Sequence, residues 1–214
     1  MQIIYWADYA CPFCYIGETT LKLALKQLGM DKEVQLDMKS FELEPDGPRH
    51  YEGPTAERNA KNYGYPVQEI KNNIEAVNQR GRQLGLDMHY DLSRYTNTFD
   101  AHRLTQLAKR KGDPERTAWL QERLFKAYFT DGLELADYRV LKEIASEAGL
   151  NVQEVQEMLY SDLFAEDVRQ DEREAESYGV TAVPFFLIDR NYAIRGAFPL
   201  EKMEAALKRA SANG

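Results

Sequence analysis

The spacing of apolar residues in the N-terminal segment predicts three elements in succession. Residues 2–8 form a near-continuous apolar run, which is typical of a strand buried on both faces. From Pro12 onward, apolar residues recur at helical spacing until Gly29, a residue type that commonly ends helices. Residues 33–40 then alternate between polar and apolar, which predicts a second strand. The order strand, helix, strand is that of a parallel βαβ unit.

The middle of the chain has a helical pattern. The segment 44–54 is rich in proline and glycine and interrupts the regular spacing. After it, apolar residues recur at helical spacing and strand-like alternation is nearly absent. The predicted helices cover residues 55–63, 66–85, 98–111, 114–130, 137–149 and 151–160.

Strand character returns near the C-terminus, after a charged helix predicted over 162–178. An apolar run over 185–188, a polar turn and alternation from Tyr192 to Ile194 predict a β-hairpin. An amphipathic helix follows, over about 199–210.

Strands at both ends and helices between them predict an interrupted α/β domain. We expect that domain to comprise residues 1–43 and 162–214, and an inserted helical domain to comprise 44–161.

Composition narrows the possible functions. Lysine and arginine number 27 against 35 aspartates and glutamates, a net charge of −8, which argues against nucleic acid as a partner. Hydrophobic residues make up 43% of the 214 positions, enough for a packed core. No apolar run approaches the roughly 18 residues of a membrane span, and no basic region precedes the first apolar stretch. We therefore expect a cytoplasmic protein that does not bind membranes.

The two cysteines form a C-x-x-C motif at Cys11 and Cys14. Such motifs occur in zinc sites, haem attachment and redox centres. The histidines are too scattered to complete a zinc site, so no metal is predicted, and Cys14 is followed by tyrosine instead of the histidine of haem attachment. A redox pair is therefore the favoured interpretation, and a pair of buried apolar cysteines is the alternative.

The position of the motif suggests different roles for the two thiols. Cys11 follows a buried strand and precedes a helix, with Pro12 at the first helical position. The helix dipole at this position favours a thiolate. Cys14, one turn inside, is expected to be more buried. Cys11 is then the nucleophile, and Cys14 is the thiol that resolves the mixed disulfide.

Four segments resemble one known family across essentially the whole chain: DYACPFCYIGE, FELEP, NTFDAHRL and GVTAVPFFLIDRNYAIRGAFP. The chain resembles the DsbA family of the thioredoxin superfamily, and within it the FrnE-like cytoplasmic oxidoreductases. The resemblance implies an α/β thioredoxin-like fold with an inserted all-helical domain. It also implies that Cys11 attacks, that Cys14 resolves, and that Pro184 is a cis-proline preceded by Val183.

The same resemblance implies how a substrate binds. With Pro184 at the start of a strand, the backbone of Val183 would face an extended peptide that lies across the cysteines. Apolar side chains are expected to form a platform around the motif, and Phe185 or Phe186 should point inward because neighbours on a strand face opposite sides. The platform candidates are Phe13, Tyr15, Phe185, Phe186 and Phe198.

Two departures from the family pattern bear on the direction of the reaction. Pro12-Phe13 replaces the Pro-His dipeptide of strongly oxidising periplasmic members, so we expect a weaker oxidant. Because no signal peptide is apparent, we expect the pair to act in a reducing compartment, as a reductase or isomerase.

The main alternative to a disulfide oxidoreductase is a related glutathione-dependent enzyme. Kappa-class glutathione transferases and 2-hydroxychromene-2-carboxylate isomerases look similar in the helical block, and they generally carry serine at the first motif position. Asn97 and His102, in NTFDAHRL, are candidate contacts to substrate or glutathione, or else a helix cap and a structural histidine. Asp8 and Glu18 are candidate proton relays to Cys14, or else ordinary solvated acids.

Three functional hypotheses follow. The first is a thiol-disulfide oxidoreductase or isomerase that acts on peptide or protein disulfides and exchanges electrons with a cellular thiol. The second is a glutathione-dependent transferase or isomerase, and the third is a chaperone-like peptide-binding module. We expect no tightly bound cofactor, with glutathione as a candidate redox co-substrate.

Overall fold

The computed structural model describes residues 1–212 and divides the chain into two compact units. The first unit contains Met1–Phe41 and the chain from Gln170 onward, and the second contains Glu42–Arg169. The predicted junctions follow residues 43 and 161, whereas the observed ones follow Phe41 and Arg169. The second junction is later because the C-terminal half of a helix packs with the sheet of the first unit.

The first unit is built on a four-stranded mixed sheet with the order β2-β1-β3-β4. Strand β1 pairs in parallel with β2 and antiparallel with β3, which in turn pairs antiparallel with β4. The parallel pair and the C-terminal hairpin are both as predicted. The strands are β1 (Gln2–Ala7), β2 (Gln35–Ser40), β3 (Phe185–Ile188) and β4 (Tyr192–Arg195).

The hairpin turn has a left-handed backbone at its two central residues. Asp189 and Arg190 have φ values of 45° and 57°, and the Asn191 N–H donates to the Ile188 carbonyl at 3.0 Å. Two successive positive φ values match the right-handed twist of the flanking strands.

Both faces of the sheet are covered. On one face, Trp6 and Phe185 pack with Ala175 and Val180. On the other, Tyr5 stacks on Phe186 with ring centroids 5.6 Å apart. Burial on both faces explains why β1 has no polar alternation.

The nine α-helices of the described chain match the predicted helical segments closely, and their glycine and proline boundaries explain why. A short 3-10 helix at Tyr90–Leu92 was not predicted. The α-helices are α1 (Pro12–Gln27), α2 (Thr55–Tyr63), α3 (Val67–Gln83), α4 (Phe99–Arg110), α5 (Pro114–Phe129), α6 (Tyr138–Glu147), α7 (Val152–Leu159), α8 (Ala165–Ser177) and α9 (Leu200–Ala212).

The second unit is entirely helical among its described elements and includes α2 to α7. Three of its helices begin at side chains that accept backbone N–H groups: Asp113, Asp137 and Asn151. These caps satisfy amides that a helix N-terminus leaves unpaired.

None of the helices in residues 1–212 combines the length and apolar character needed to cross a membrane.

Candidate active site at the cysteine pair

A tight turn carries the chain from the end of β1 into α1. The Asp8 carboxylate accepts the Ala10 N–H at 3.1 Å, and the Asp8 carbonyl accepts the Cys11 N–H at 3.0 Å. Asp8 is only 2% exposed. It is therefore part of the buried turn that places Cys11 at the helix N-terminus.

Cys11 occupies the N-cap position of α1. Its backbone is extended, with φ −91° and ψ 111°, and Pro12 follows at the start of the helix. The Cys11 carbonyl accepts the N–H of Cys14 at 3.0 Å, which closes the first turn. The predicted junction of strand, cysteine and helix is thus present.

Cys14 lies one turn inside the helix. Its side chain is 1% exposed, compared with 4% for Cys11. Both thiols are free, and a hydrogen bond joins them. Burial raises the pKa of the Cys14 thiol well above its usual range, and Cys11 raises it further through the hydrogen bond and its charge. A hydrogen bond from the Asp8 backbone lowers this pKa in part, while the Asp8 charge raises it.

Val183 and Pro184 lie against the cysteine pair. The Val183-Pro184 peptide bond is cis, as the resemblance implies. The Cys11 thiol donates a long hydrogen bond to the Val183 carbonyl, with Sγ and O 3.7 Å apart. Pro184 is buried, and its carbonyl accepts the Gly196 N–H at 2.8 Å. Residues separated by most of the chain therefore meet at one point.

The aromatic side chains differ from the predicted platform. Phe13, between the cysteines, is 43% exposed, whereas Pro12 is buried. Phe185 and Phe186 are 3% and 0% exposed, on opposite faces of the sheet. The expectation that only one of these two points inward is wrong, because helices cover both faces. Phe185 lies in the core, where its ring packs edge-on against Trp6.

The remaining platform candidates also differ in exposure. Tyr15 is 6% exposed, and Phe198 is half-buried. Phe13 is thus the most exposed aromatic ring among the five candidates.

Glu18 is buried and forms an ion pair with Lys22, with Oε1 and Nζ 2.6 Å apart. Burial and the neighbouring Glu18 carboxylate raise the pKa of Tyr5 well above its usual value. Of the two acids considered as proton relays, Asp8 reaches Cys14 with a hydrogen bond from its backbone, while its carboxylate accepts the Ala10 N–H.

Asn97 and His102 belong to the second unit. Thr98 is the N-cap residue of α4 and makes no side-chain cap bond, whereas the side-chain amide oxygen of Asn97 accepts the Phe99 N–H at 3.0 Å. The Asn97 side-chain Nδ2 donates to the backbone carbonyls of Pro45 and Gly47 at 3.5 and 3.4 Å. His102 is 1% exposed, on the buried side of α4.

A buried charge network in the same segment was not predicted. Asp100 accepts from Arg49 and from Arg103, each at 2.8 Å. Arg103 also donates to the carbonyls of Met158, Ser161 and Leu163. Asp100 and Arg103 stand three residues apart in NTFDAHRL, a spacing that places them on one helix face. This spacing is the sequence feature that could have predicted the Asp100–Arg103 ion pair.

Asp171 was also missed, because it lies in the charged helix predicted over 162–178, where no single charged residue stands out. It is 4% exposed, and its carboxylate accepts the Ser40 N–H at 2.9 Å and binds Lys39 at 3.0 Å. Its carbonyl accepts the Trp6 ring N–H at 2.9 Å. Asp171 thus fixes α8 to β1 and β2.

Within residues 1–212, no three side chains of histidine, cysteine, aspartate or glutamate are grouped closely enough to hold a metal ion.

The mixed sheet, the cysteine pair at the start of α1 and the facing proline define a thioredoxin-like fold of the DsbA type. The chain belongs to the family described as the DSBA-like thioredoxin domain, whose model matches residues 2–208. The relative YwbO of Bacillus subtilis (strain 168), described as uncharacterized, is 26% identical over 211 residues, 97% of this chain and 96% of that protein.

Solved structures share the fold over the full chain. A probable DsbA oxidoreductase, SCO1869 of Streptomyces coelicolor, has a TM-score of 0.94 and 32% identity, and the match covers 100% of this chain and 91% of that one. A 2-hydroxychromene-2-carboxylate isomerase has a TM-score of 0.72 and 15% identity, with 100% and 97% covered. The cytosolic disulfide reductase DsbM of Pseudomonas aeruginosa, solved with glutathione, has a TM-score of 0.64 and 15% identity, with 99% and 100% covered.

Proposed function

We propose that this protein is a thiol-disulfide oxidoreductase that exchanges disulfides with peptide or protein substrates through Cys11 and Cys14. The observation that carries the proposal is the arrangement of the two free thiols. They are joined by a hydrogen bond at the N-terminus of α1, and the outer thiol lies 3.7 Å from the Val183 carbonyl.

Two displacements complete the proposed exchange. The Cys11 thiolate attacks one sulfur of a substrate disulfide, which forms a mixed disulfide and releases the other sulfur as a thiolate. The Cys14 thiolate then attacks the Cys11 sulfur, which forms the Cys11-Cys14 disulfide and releases the second substrate thiolate. The two electrons of the new substrate thiols come from the cysteine pair, and the thiolates take up protons from water.

The proposed substrate is an extended peptide. The Val183 carbonyl accepts from the Cys11 thiol in the free protein, and this contact supports a role for the carbonyl as an acceptor for a peptide N–H once Cys11 is bonded to substrate. The exposed ring of Phe13 supports an apolar contact beside the reacting sulfur. We assign Phe13 and Val183 to substrate binding on these grounds.

Glutathione is the proposed co-substrate that returns the pair to the dithiol. Two glutathione molecules would reduce the Cys11-Cys14 disulfide in two displacements and leave as glutathione disulfide. The DsbM structure with glutathione supports this choice, as does the absence of histidine between the cysteines, which favours a less oxidising pair. We place the reaction in the cytoplasm, in agreement with the cytosolic assignment of DsbM.

A trapping experiment tests the assignment of the two thiols. Cys14→Ser, incubated with a peptide that contains one disulfide, should accumulate a mixed disulfide at Cys11 that mass spectrometry detects. Wild type should pass through this state and release two peptide thiols. Cys11→Ser should form neither product under the same conditions.

The other two hypotheses predict different outcomes. A glutathione-dependent transferase or isomerase should bind glutathione in calorimetry without forming the Cys11-Cys14 disulfide. If the protein is a peptide-binding module, the wild type and the Cys11→Ser/Cys14→Ser double variant should suppress aggregation equally well. Trapping of peptide at Cys14 in place of Cys11 would overturn the roles proposed here.

A further inference from the structure

Gly17 lies where α1 closely approaches Pro184. It lies three residues after Cys14, on the same face of the helix. A methyl group at position 17 would come within 2.8 Å of Pro184 Cγ, 3.3 Å of Phe186 Cζ and 3.5 Å of Ala197 Cβ. The first of these distances is shorter than nonbonded carbon atoms tolerate, so one partner would have to move.

The Pro184 ring has little freedom to move without its backbone. Because the ring is closed onto the backbone nitrogen, Cγ shifts only by a change of ring pucker, and any larger displacement moves the backbone. Gly81 in α3 offers a contrast, because there an added methyl would meet only Met88 side-chain atoms among its three nearest contacts: the sulfur at 2.5 Å, Cβ at 3.1 Å and Cγ at 3.3 Å. The Met88 sulfur lies near the end of a flexible side chain and can be displaced by rotation.

Movement at Pro184 is transmitted toward Val183. The Pro184 carbonyl is held by the Gly196 N–H at 2.8 Å, at the end of β4. Because the carbonyl side of Pro184 is held, we expect a displaced ring to move the Val183 side, where the carbonyl lies 3.7 Å from Cys11 Sγ. The absence of a side chain at position 17 is therefore linked to the distance between the Cys11 sulfur and the Val183 carbonyl.

We propose that Gly17 is a positioning residue for peptide substrates, whose missing side chain lets Pro184 approach α1 so that the Val183 carbonyl stands beside Cys11. This inference rests on the proposed function and adds to it a determinant of substrate class. Peptide disulfides that pair with Val183 depend on position 17, whereas a small disulfide that contacts only the sulfur does not.

The experiment compares two substrates in Gly17→Ala. One substrate is a disulfide-containing peptide, and the other is hydroxyethyl disulfide, which has no peptide backbone. We expect kcat/KM for the peptide to fall roughly tenfold, since misplacement of a positioning group by less than an ångström has effects of this order. For hydroxyethyl disulfide we expect a change of less than about twofold. The ratio of the two values is the readout, because loss of folded protein lowers both equally.

Gly81→Ala is the matched control. It adds the same methyl group and the same gain in helix propensity, in a helix of the second unit. We expect its substrate ratio to equal that of wild type. An unchanged ratio in Gly17→Ala, or the same change in Gly81→Ala, would overturn the proposal.

A double variant covers the case in which Gly17→Ala fails to fold. Gly17→Ala/Pro184→Ala removes the obstructing ring, so it should fold and match Pro184→Ala in its substrate ratio. A double variant that stays unfolded would contradict the proposed contact. Inability of wild type to reduce either substrate would instead overturn the proposed function itself, and the two failures are thus distinguishable.

Discussion

The two thiols of the candidate site differ in position: Cys11 occupies the N-cap position of α1, whereas Cys14 lies inside the helix. Cys14 is enclosed by protein, and burial is the largest cause of its raised pKa. In Cys11→Ser the burial remains while the Cys11 charge is removed. We therefore expect the remaining thiol to ionise above its usual range of about 8.5. Thiolate absorbance in the ultraviolet, followed against pH, measures this directly. A midpoint at or below the usual value would contradict the burial argument.

The same pKa shift has a consequence for stability. A thiol whose pKa is higher in the folded chain than in the unfolded chain contributes fully below the unfolded value, and this contribution is lost as pH rises through the folded value. The free energy of unfolding should therefore fall as pH rises above about 8.5. Denaturant unfolding of wild type and Cys14→Ala at several pH values checks this. The fall in this range should be smaller in Cys14→Ala.

Replacement of the exposed Phe13 side chain should weaken substrate binding and leave stability nearly unchanged. Because the side chain is 43% exposed, Phe13→Ser should change the free energy of unfolding by no more than about 0.5 kcal/mol. Reduction of an apolar disulfide peptide should become slower, mainly through a higher KM. Tyr63→Ser, at an exposed tyrosine of the second unit, is the control and should leave KM unchanged. If Phe13→Ser and Tyr63→Ser had the same KM for the peptide, the assignment of Phe13 to substrate binding would be wrong.

At the scale of elements, α4 depends on the buried charges in its first turn. Asp100 binds Arg49 and Arg103, and Arg103 is only 4% exposed. Asp100→Ala would leave a buried guanidinium without its carboxylate, at a cost of roughly 3–5 kcal/mol in unfolding free energy. Denaturant unfolding checks this. Arg139→Ala, which breaks the exposed pair with Asp137, is the control and should have little effect. A comparably small effect of Asp100→Ala would contradict the proposed importance of the network.

Apolar spacing predicted the elements better than it predicted the charged residues within them. The helices from α2 to α7 and the hairpin follow the predicted segments because their apolar residues recur at the period of the element. Periodicity assigns a charged run to solvent as a whole. It therefore missed Asp171, whose carboxylate is buried because a backbone amide and Lys39 satisfy it.

At the scale of the molecule, the arrangement of strands at both ends and helices between them was visible in the sequence. The meeting of Val183 with Cys11 was expected from a family resemblance alone, since no local pattern relates residues so far apart. The close approach of Pro184 to Gly17 and the burial of Phe185 depend on how α1 and the sheet pack. Such packing follows from the assembled fold and leaves no local sequence signal.

The central claim is that Cys11 and Cys14 form one reversible two-electron couple. The most direct test is to equilibrate the protein in buffers of varied glutathione to glutathione disulfide ratio, quench with acid, and measure the pair by mass spectrometry. We predict an intramolecular Cys11-Cys14 disulfide whose fraction follows a single two-electron transition. Cys14→Ser should stop at a mixed disulfide with glutathione. A wild-type chain that retains both thiols at every ratio, or that accumulates only glutathione adducts, would contradict the account.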